Sequence, residues 1–192
     1  MAFGYVEIFT KGVDRLPERP CAGAVDRDLA ARALPSARSA KERGRLEQGM
    51  HGFTFRCSVQ TSGDSILVAD AQTGDGEPKN WYEYHLPKRD EEGAIEVSSG
   101  DIRALSLAPD YASVYVPCVP PRSELPANHL IVDASTVGPT RAKGDELRQI
   151  LVDFAYQLAR HAYRAGECRE PRSFPESLPR LSWGRVLDAL PE

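Results

Sequence analysis

Alternation of apolar and polar positions predicts a β-rich centre in this chain. Within residues 52–60, apolar side chains recur at every second position, which is typical of a half-buried strand. These positions are Phe53, Phe55, Cys57 and Val59. A polar turn at residues 62–65 and an apolar run at residues 66–71 complete a predicted hairpin. We predict further strands at residues 81–86, 111–116 and 129–134, whereas residues 102–107 fit either a strand or a short helix.

The clearest helical pattern lies near the carboxyl end, from residue 145 to residue 165. Apolar side chains return there every three or four positions and form one stripe. The stripe consists of Leu147, Ile150, Leu151, Phe154, Leu158 and Ala162. Asp145 and Glu146 favour the helix start, and Gly166 favours its end.

Three other segments have weaker patterns. A short helix is predicted over residues 26–34, where Pro35 stops it. Residues 38–48 are highly charged and indicate a solvated loop or a short exposed helix. Residues 183–190 fit a last short helix.

The order of elements is one helix, a run of strands and a long helix. Such runs, rather than strict alternation, predict an α+β fold: a mostly antiparallel sheet with the long C-terminal helix and the short N-terminal helix packed on one face. We expect residues 21–170 to form a single domain. Residues 1–20 then form an N-terminal segment or linker from a removed anchor, and residues 171–192 an extended tail with a short terminal helix.

Composition is that of an ordinary water-soluble domain. The 192 residues include 24 Lys and Arg and 28 Asp and Glu, a formal net charge of −4, with 41% apolar residues. A dedicated nucleic-acid binder would normally be basic, so we expect no nucleic-acid partner. No apolar run approaches the roughly 20 residues that cross a bilayer.

The four cysteines are Cys21, Cys57, Cys118 and Cys168, and none forms a close pair of the kind found in zinc or thioredoxin motifs. All except Cys57 lie at predicted loop edges, where structural disulfides are common. Two disulfides are therefore favoured over four free thiols, and of the three connectivities we prefer Cys21–Cys57 with Cys118–Cys168. Disulfides persist outside the cytosol, which favours an extracytoplasmic location.

The first 20 residues lack the basic start and apolar core of a signal peptide. If the protein is exported, this chain is then a mature form or lacks its leader. Residues 3–9 fit the outer end of a removed anchor helix and fit a plain first strand equally well. Any membrane attachment would depend on an anchor that this chain does not contain.

Catalytic, cofactor and metal signatures are absent from the sequence. The four histidines lie far apart, with no paired metal-ligand spacing, and no Gly-x-Ser-x-Gly motif occurs. We therefore predict no catalytic residue, no cofactor and no metal ligand.

One patch has candidate binding chemistry. If residues 81–86 form a strand, Trp81, Glu83 and His85 share one face. Displayed to solvent, an indole beside a carboxylate and an imidazole would bind a sugar ring or a partner protein. Ordinary cross-strand packing is the alternative interpretation.

The placement of the cysteines resembles a known class of protein. A cysteine before a short helix, at residues 21–29, is followed by the strand cysteine of Phe55-Arg56-Cys57 and by a late helix that leads to Cys168. This pattern resembles actinobacterial secreted lipoproteins and membrane-anchored ectodomains of unknown function. The resemblance implies an extracytoplasmic, disulfide-bonded α+β domain, although the chain lacks their lipid-attachment site.

Three functional hypotheses follow. The first is a non-enzymatic extracytoplasmic domain, secreted or membrane-anchored, that binds a partner protein, an envelope component or a small ligand. The second is an envelope hydrolase that uses Glu83 and His85. The third is a cytosolic regulator with free thiols.

Overall fold

A computed structural model describes residues 12–91, 93–124 and 128–187, and these form one eight-stranded antiparallel sheet. The strand order across the sheet is β1-β2-β3-β7-β6-β5-β4-β8. The strands are β1 (Ala40–Gln48), β2 (Phe53–Thr61), β3 (Ile66–Asp75), β4 (Ala94–Ser99), β5 (Ile102–Ala108), β6 (Tyr111–Pro117), β7 (Asn128–Val137) and β8 (Arg185–Leu187). The predicted α+β class with a mostly antiparallel sheet is confirmed.

Three α-helices accompany the sheet: α1 (Arg27–Ala33), α2 (Pro78–His85) and α3 (Gly144–Ala165). The long helix α3 crosses one face of the sheet and contacts β2, β3, β5, β6 and β7, and α1 packs beside it. We call this the helix face. The two helices share one face because each presents an apolar stripe to the same core, as the sequence predicted.

The main core lies between α3 and the helix face. Alternate residues of β2 and β7 point into it, including Phe55, Val59 and Val132, and Phe154 of α3 fills the space between them with no exposed surface. Full burial of a side chain such as Phe154 contributes about 2 kcal/mol. The alternation of β2 read from the sequence therefore corresponds to an inward and an outward set of side chains.

Helix α2 covers part of the opposite face of the sheet, which we call the second face. Its buried residues form a smaller cluster with residues of β4, β5 and β6, among others. The cluster contains Trp81, Tyr82, Leu86, Ala94, Leu105, Leu107, Tyr115 and Leu187. The sheet thus has a continuous helical layer on one face and a partial layer on the other.

Both disulfides join the predicted partners, Cys21–Cys57 and Cys118–Cys168, with Cα–Cα distances of 5.3 Å in each. The first attaches a turn at Pro20–Gly23 to β2, and the second attaches the end of β6 to the segment after α3. All four cysteines lie in the described part of the chain and none is free. The hypothesis of four free thiols is therefore wrong for this structure.

The turn at Pro20–Gly23 has an unusual backbone. Cys21, Ala22 and Gly23 all have positive φ, at 59°, 58° and 85°. The turn lies directly on β1, where a Cβ added to Gly44 would stand 2.2 Å from the Cys21 carbonyl carbon. Glycine is therefore required at position 44 because the two backbones approach so closely.

Several predicted elements were wrong. Residues 38–48 contain strand β1 rather than a loop or a helix, and residues 81–86 belong to helix α2 rather than to a strand. At residues 183–190, a 3₁₀ turn ends at Trp183 and β8 follows, while positions 188–190 lie outside the described residues. Residues 102–107 form strand β5.

The core extends beyond the boundaries expected for the domain. Val13 and Leu16 are buried in the main core, as are Leu178 and Leu181 near the other end. The predicted anchor remnant at residues 3–9 lies outside the described residues. In the described part of the chain, no helix combines the length and apolar character needed to cross a membrane.

Candidate ligand-binding surface

The patch at residues 81–85 does not form the displayed surface that a strand would give. Helical spacing places Trp81 and His85 on the same side of α2, where both are buried against the sheet. Glu83 lies on the outer side, 3.8 Å from Lys79 Nζ, one helical turn away. The prediction that Trp81, Glu83 and His85 share an exposed face is therefore wrong.

His85 instead belongs to a buried polar cluster beneath α2. Trp81 Nε1 donates a hydrogen bond of 2.9 Å to Ser113 Oγ. The His85 Nε2 atom lies 3.3 Å from the same Oγ and 3.6 Å from Asp133 Oδ1, and its Nδ1 atom lies 3.4 Å from the Tyr111 hydroxyl. These contacts fix the orientation of α2 on the sheet.

This cluster contains serine, histidine and aspartate but does not have the geometry of a hydrolase. A nucleophilic serine and its orienting carboxylate bind opposite nitrogens of the imidazole, whereas Ser113 and Asp133 both approach Nε2. His85 and Ser113 also have no exposed surface, so no substrate reaches them. Burial lowers the pKa of His85 to about 3, so the ring is neutral at pH 7.

The uncovered part of the second face is polar and carries three arginines. It is formed by β1, β2 and β3, on which Arg43, Arg45 and Arg56 point away from the main core and are exposed. We call this surface the arginine face. It borders a cavity of about 380 Å³ that also receives the side chains of Thr54, Ser58, Asp70 and Gln72.

The register of the strands concentrates positive charge on this face. Arg45 lies directly opposite Arg56 across β1 and β2, and Arg43 lies opposite Ser58, two positions further along β2. Like charges in directly opposite positions destabilise a sheet. The sheet therefore holds these guanidinium groups together at an energetic cost.

Two carboxylates offset part of this repulsion. Arg45 Nε lies 3.1 Å from Glu47 Oε1, and Arg56 binds Asp70, whose hydrogen bond and charge raise the pKa of the guanidinium. Within the described chain, the guanidinium group of Arg43 has no hydrogen bond or ion pair. The arginine face thus has three guanidinium groups and two paired carboxylates, and an anion would complete its charge balance.

The side chains of this surface are complementary to anions and to hydroxyl groups. Guanidinium groups form paired hydrogen bonds with carboxylates and phosphates. The hydroxyl groups of Thr54 and Ser58 and the amide of Gln72 supply neutral donors and acceptors beside them. A charged, hydroxyl-rich ligand would therefore find partners for both kinds of group.

Sequence reasoning missed this surface because residues 38–48 appeared to be a charged loop. A signal was present, since charged residues occur at every second position in Lys41, Arg43, Arg45 and Glu47. That alternation is the period of a strand, but of the positions in between only Ala40 and Leu46 are apolar. The pairing of Arg45 with Arg56 depends on register, which the sequence does not contain.

Over residues 12–91, 93–124 and 128–187, no group of three or more His, Cys, Asp or Glu side chains is placed to hold a metal ion. Comparison of the chain with protein-family models, with curated proteins and with solved structures found no match.

Proposed function

We propose that the protein is a non-catalytic extracytoplasmic domain that binds an anionic, hydroxyl-rich polymer of the cell envelope through the arginine face. The observation that carries this proposal is the cross-strand pair Arg45 and Arg56, with Arg43 diagonal to it. An envelope glycan that bears carboxylate or phosphate groups has the complementary chemistry.

The disulfides support the extracytoplasmic part of the proposal. Structural disulfides form and persist in oxidising compartments and are rare in the cytosol. Both disulfides lie in the protein interior, since Cys21, Cys57 and Cys118 are almost fully buried. A cytosolic protein would keep such residues as thiols.

Charge distribution supports a local rather than a general attraction for polyanions. The whole chain has a formal net charge of −4, so bulk electrostatics would repel an anionic polymer. Binding therefore depends on the arrangement of the arginine face, and removal of individual guanidinium groups should have large, site-specific effects.

The experiment measures binding of the oxidised chain to immobilised polygalacturonate, to a poly(glycerol phosphate) and to neutral dextran at 0.15 M salt. We expect binding to one or both anionic polymers and none to dextran. An exposed charged contact contributes about 1 kcal/mol, so R43Q, R45Q and R56Q should each weaken binding roughly fivefold.

The matched control is R141Q, which removes the same charge from an exposed loop residue outside the arginine face. We expect it to leave polymer binding unchanged. Equal losses in R141Q and R45Q would indicate nonspecific attraction, and binding to neither anionic polymer would refute the proposal.

A further inference from the structure

A second basic cavity lies on the helical side of the molecule, away from the arginine face. It has a volume of about 570 Å³ and is enclosed by the segment from Arg19 to Asp26 and by the carboxyl-terminal half of α3. Three guanidinium groups and one imidazole line it, those of Arg19, Arg160, Arg164 and His161. A volume of this size is typical of small-molecule sites.

Two carboxylates, those of Asp26 and Glu176, line this cavity beside the three guanidinium groups. Asp26 Oδ2 accepts a hydrogen bond of 2.7 Å from Gln157, and Asp26 Oδ1 lies 3.9 Å from Arg19 Nε. Arg160 donates to the backbone oxygen of Glu176 at 3.0 Å rather than forming an ion pair with a carboxylate. Among the residues the structure describes, the Arg164 guanidinium has no hydrogen-bond or carboxylate partner.

His161 lies between these arginines and the sheet. Its ring contacts the edge of Phe55 on β2, with centroids 5.0 Å apart. Burial lowers the pKa of His161, and the charges of Arg19 and Arg164 lower it further. The imidazole is therefore a neutral group in a positive cavity, and it can donate one hydrogen bond without adding charge.

The opposite wall depends on the first disulfide. Gly23 and Ala24 line the cavity, and they follow the left-handed turn that the Cys21–Cys57 bridge attaches to β2. The Cys21 N–H also donates to Glu42 Oε2 on β1 at 2.7 Å. This wall is therefore attached to both β1 and β2, which gives the cavity a fixed shape before any ligand binds.

We propose that this cavity binds a small multivalent anion, one that bears a phosphate group or two or more carboxylates. Arg160 and Arg164 lie one helical turn apart on α3, and Arg19 approaches from the turn, so guanidinium groups reach such an anion from two sides. Paired N–H donors of this kind match the oxygens of phosphate and carboxylate.

This site is separate from the arginine face in position, because the two cavities share no lining residue. The arginine face is built on β1, β2 and β3, whereas the second cavity lies between the segment after Arg19 and α3. Failure of polymer binding would leave this proposal intact, and the converse also holds.

The test is calorimetric titration of the oxidised chain with sodium phosphate and, separately, with citrate at 0.15 M sodium chloride. A parallel NMR titration follows the Cε1–H signal of His161. We expect saturable binding of one or both anions, with a shift of the His161 signal. Binding of phosphate alone would indicate a phosphate-bearing ligand, and binding of citrate alone would indicate a polycarboxylate.

Two variants decide whether the cavity is responsible. R164Q should weaken binding at least fivefold, because it removes a guanidinium group that has no other anionic partner. R141Q, in the exposed loop before α3, should leave the affinity unchanged. Binding of neither anion, or equal affinity in R164Q and the parent chain, would overturn the proposal.

Discussion

Asp70 on β3 lies directly opposite Asp133 on β7, so two carboxylates occupy facing positions in the sheet. Asp70 is also opposite Arg56, and Asp133 is opposite Ser113 on β6. These cross-strand neighbours therefore form one row across the sheet, from Arg45 on the edge strand β1 to the buried cluster around His85. The row connects the arginine face with the interior contacts that hold α2.

The raised pKa of Asp133 predicts that D133N stabilises the protein at neutral pH. Burial raises this pKa, and the charge of Asp70 contributes to the rise, although hydrogen bonds from Ser113 and Tyr111 oppose it. A carboxyl group with a raised folded-state pKa destabilises the fold when it is ionised, and an amide removes that charge. Thermal unfolding at pH 7 should shift upward by a few degrees.

The control is D70N, because Asp70 is the ion-pair partner of Arg56. Loss of that exposed pair should leave the midpoint unchanged or slightly lower. A lower midpoint in D133N than in D70N would contradict the role assigned to the Asp133 charge.

The lowered pKa of His85 predicts that the folded protein loses stability in mild acid. Its folded-state pKa is lowered to about 3, so the unfolded chain binds the proton more readily between pH 6.5 and pH 3. Stability therefore falls as pH is lowered through this window, by about 2 kcal/mol between pH 6.5 and pH 5 for this one group. Asp133 opposes this trend, because its raised pKa makes the folded state bind a proton more readily than the unfolded chain does.

Urea unfolding at a series of pH values measures this effect, and NMR assigns it. The Cε1–H signal of His85 should stay at its neutral position from pH 7 to pH 5. Titration of that signal near pH 6.5 would contradict the buried, neutral state of the ring.

The second disulfide predicts a large loss of stability when it is removed. Cys118 and Cys168 are separated by 50 residues, and the chain-entropy model gives about 4 kcal/mol for a loop of that length. The double variant C118A/C168A leaves no free thiol and should lose about that amount in urea unfolding. A loss below about 1 kcal/mol would show that the crosslink does not restrict the unfolded chain as the model requires.

The close approach of Gly44 to the turn at Pro20–Gly23 predicts that any side chain at position 44 destabilises the fold. A Cβ at position 44 would lie 2.2 Å from the backbone of Cys21, so G44A forces the turn away from β1. Displacement of a closely packed backbone costs about 1–3 kcal/mol. The matched control is G63A, where the nearest atom would be Thr61 Oγ1 at 3.9 Å. Similar unfolding midpoints for the two variants would contradict the close contact between the turn and β1.

Much of the fold could be predicted from the sequence, because the apolar residues of several elements recur with the regular spacing of a helix or of a strand. Helix α3 has a single apolar stripe, and β2 alternates without interruption between Phe53 and Val59. The cysteine pairing was also predicted, and it agrees with the two bridges observed.

Strand β1 was missed because neither of its faces is apolar. It is an edge strand, and the turn at Cys21 covers the middle of its inner side, where Glu42 and Gly44 lie between Ala40 and Leu46 at the margin of the main core. Charged residues on an edge strand discourage pairing with other chains. The pattern therefore resembles a solvated loop.

Helix α2 was missed because its residues 81–85, Trp-Tyr-Glu-Tyr-His, also divide into two faces when they are read with the period of a strand. Its start was nonetheless encoded: Pro78 occupies the first turn, and Asn80 Oδ1 accepts a hydrogen bond of 3.1 Å from the Glu77 N–H. The candidate surface was harder to foresee, because Arg45 and Arg56 come together only through strand register.

The most direct test of the account is an NMR titration of the oxidised, isotope-labelled chain with a short oligogalacturonate and a short oligo(glycerol phosphate). We predict that at least one of the two shifts the backbone amide signals of Arg45, Thr54, Arg56 and Gln72. We also predict that these shifts disappear in the R45Q/R56Q variant. Signals that remain unmoved with both oligomers, or shifts confined to other surfaces, would contradict the assignment of the arginine face as the binding surface.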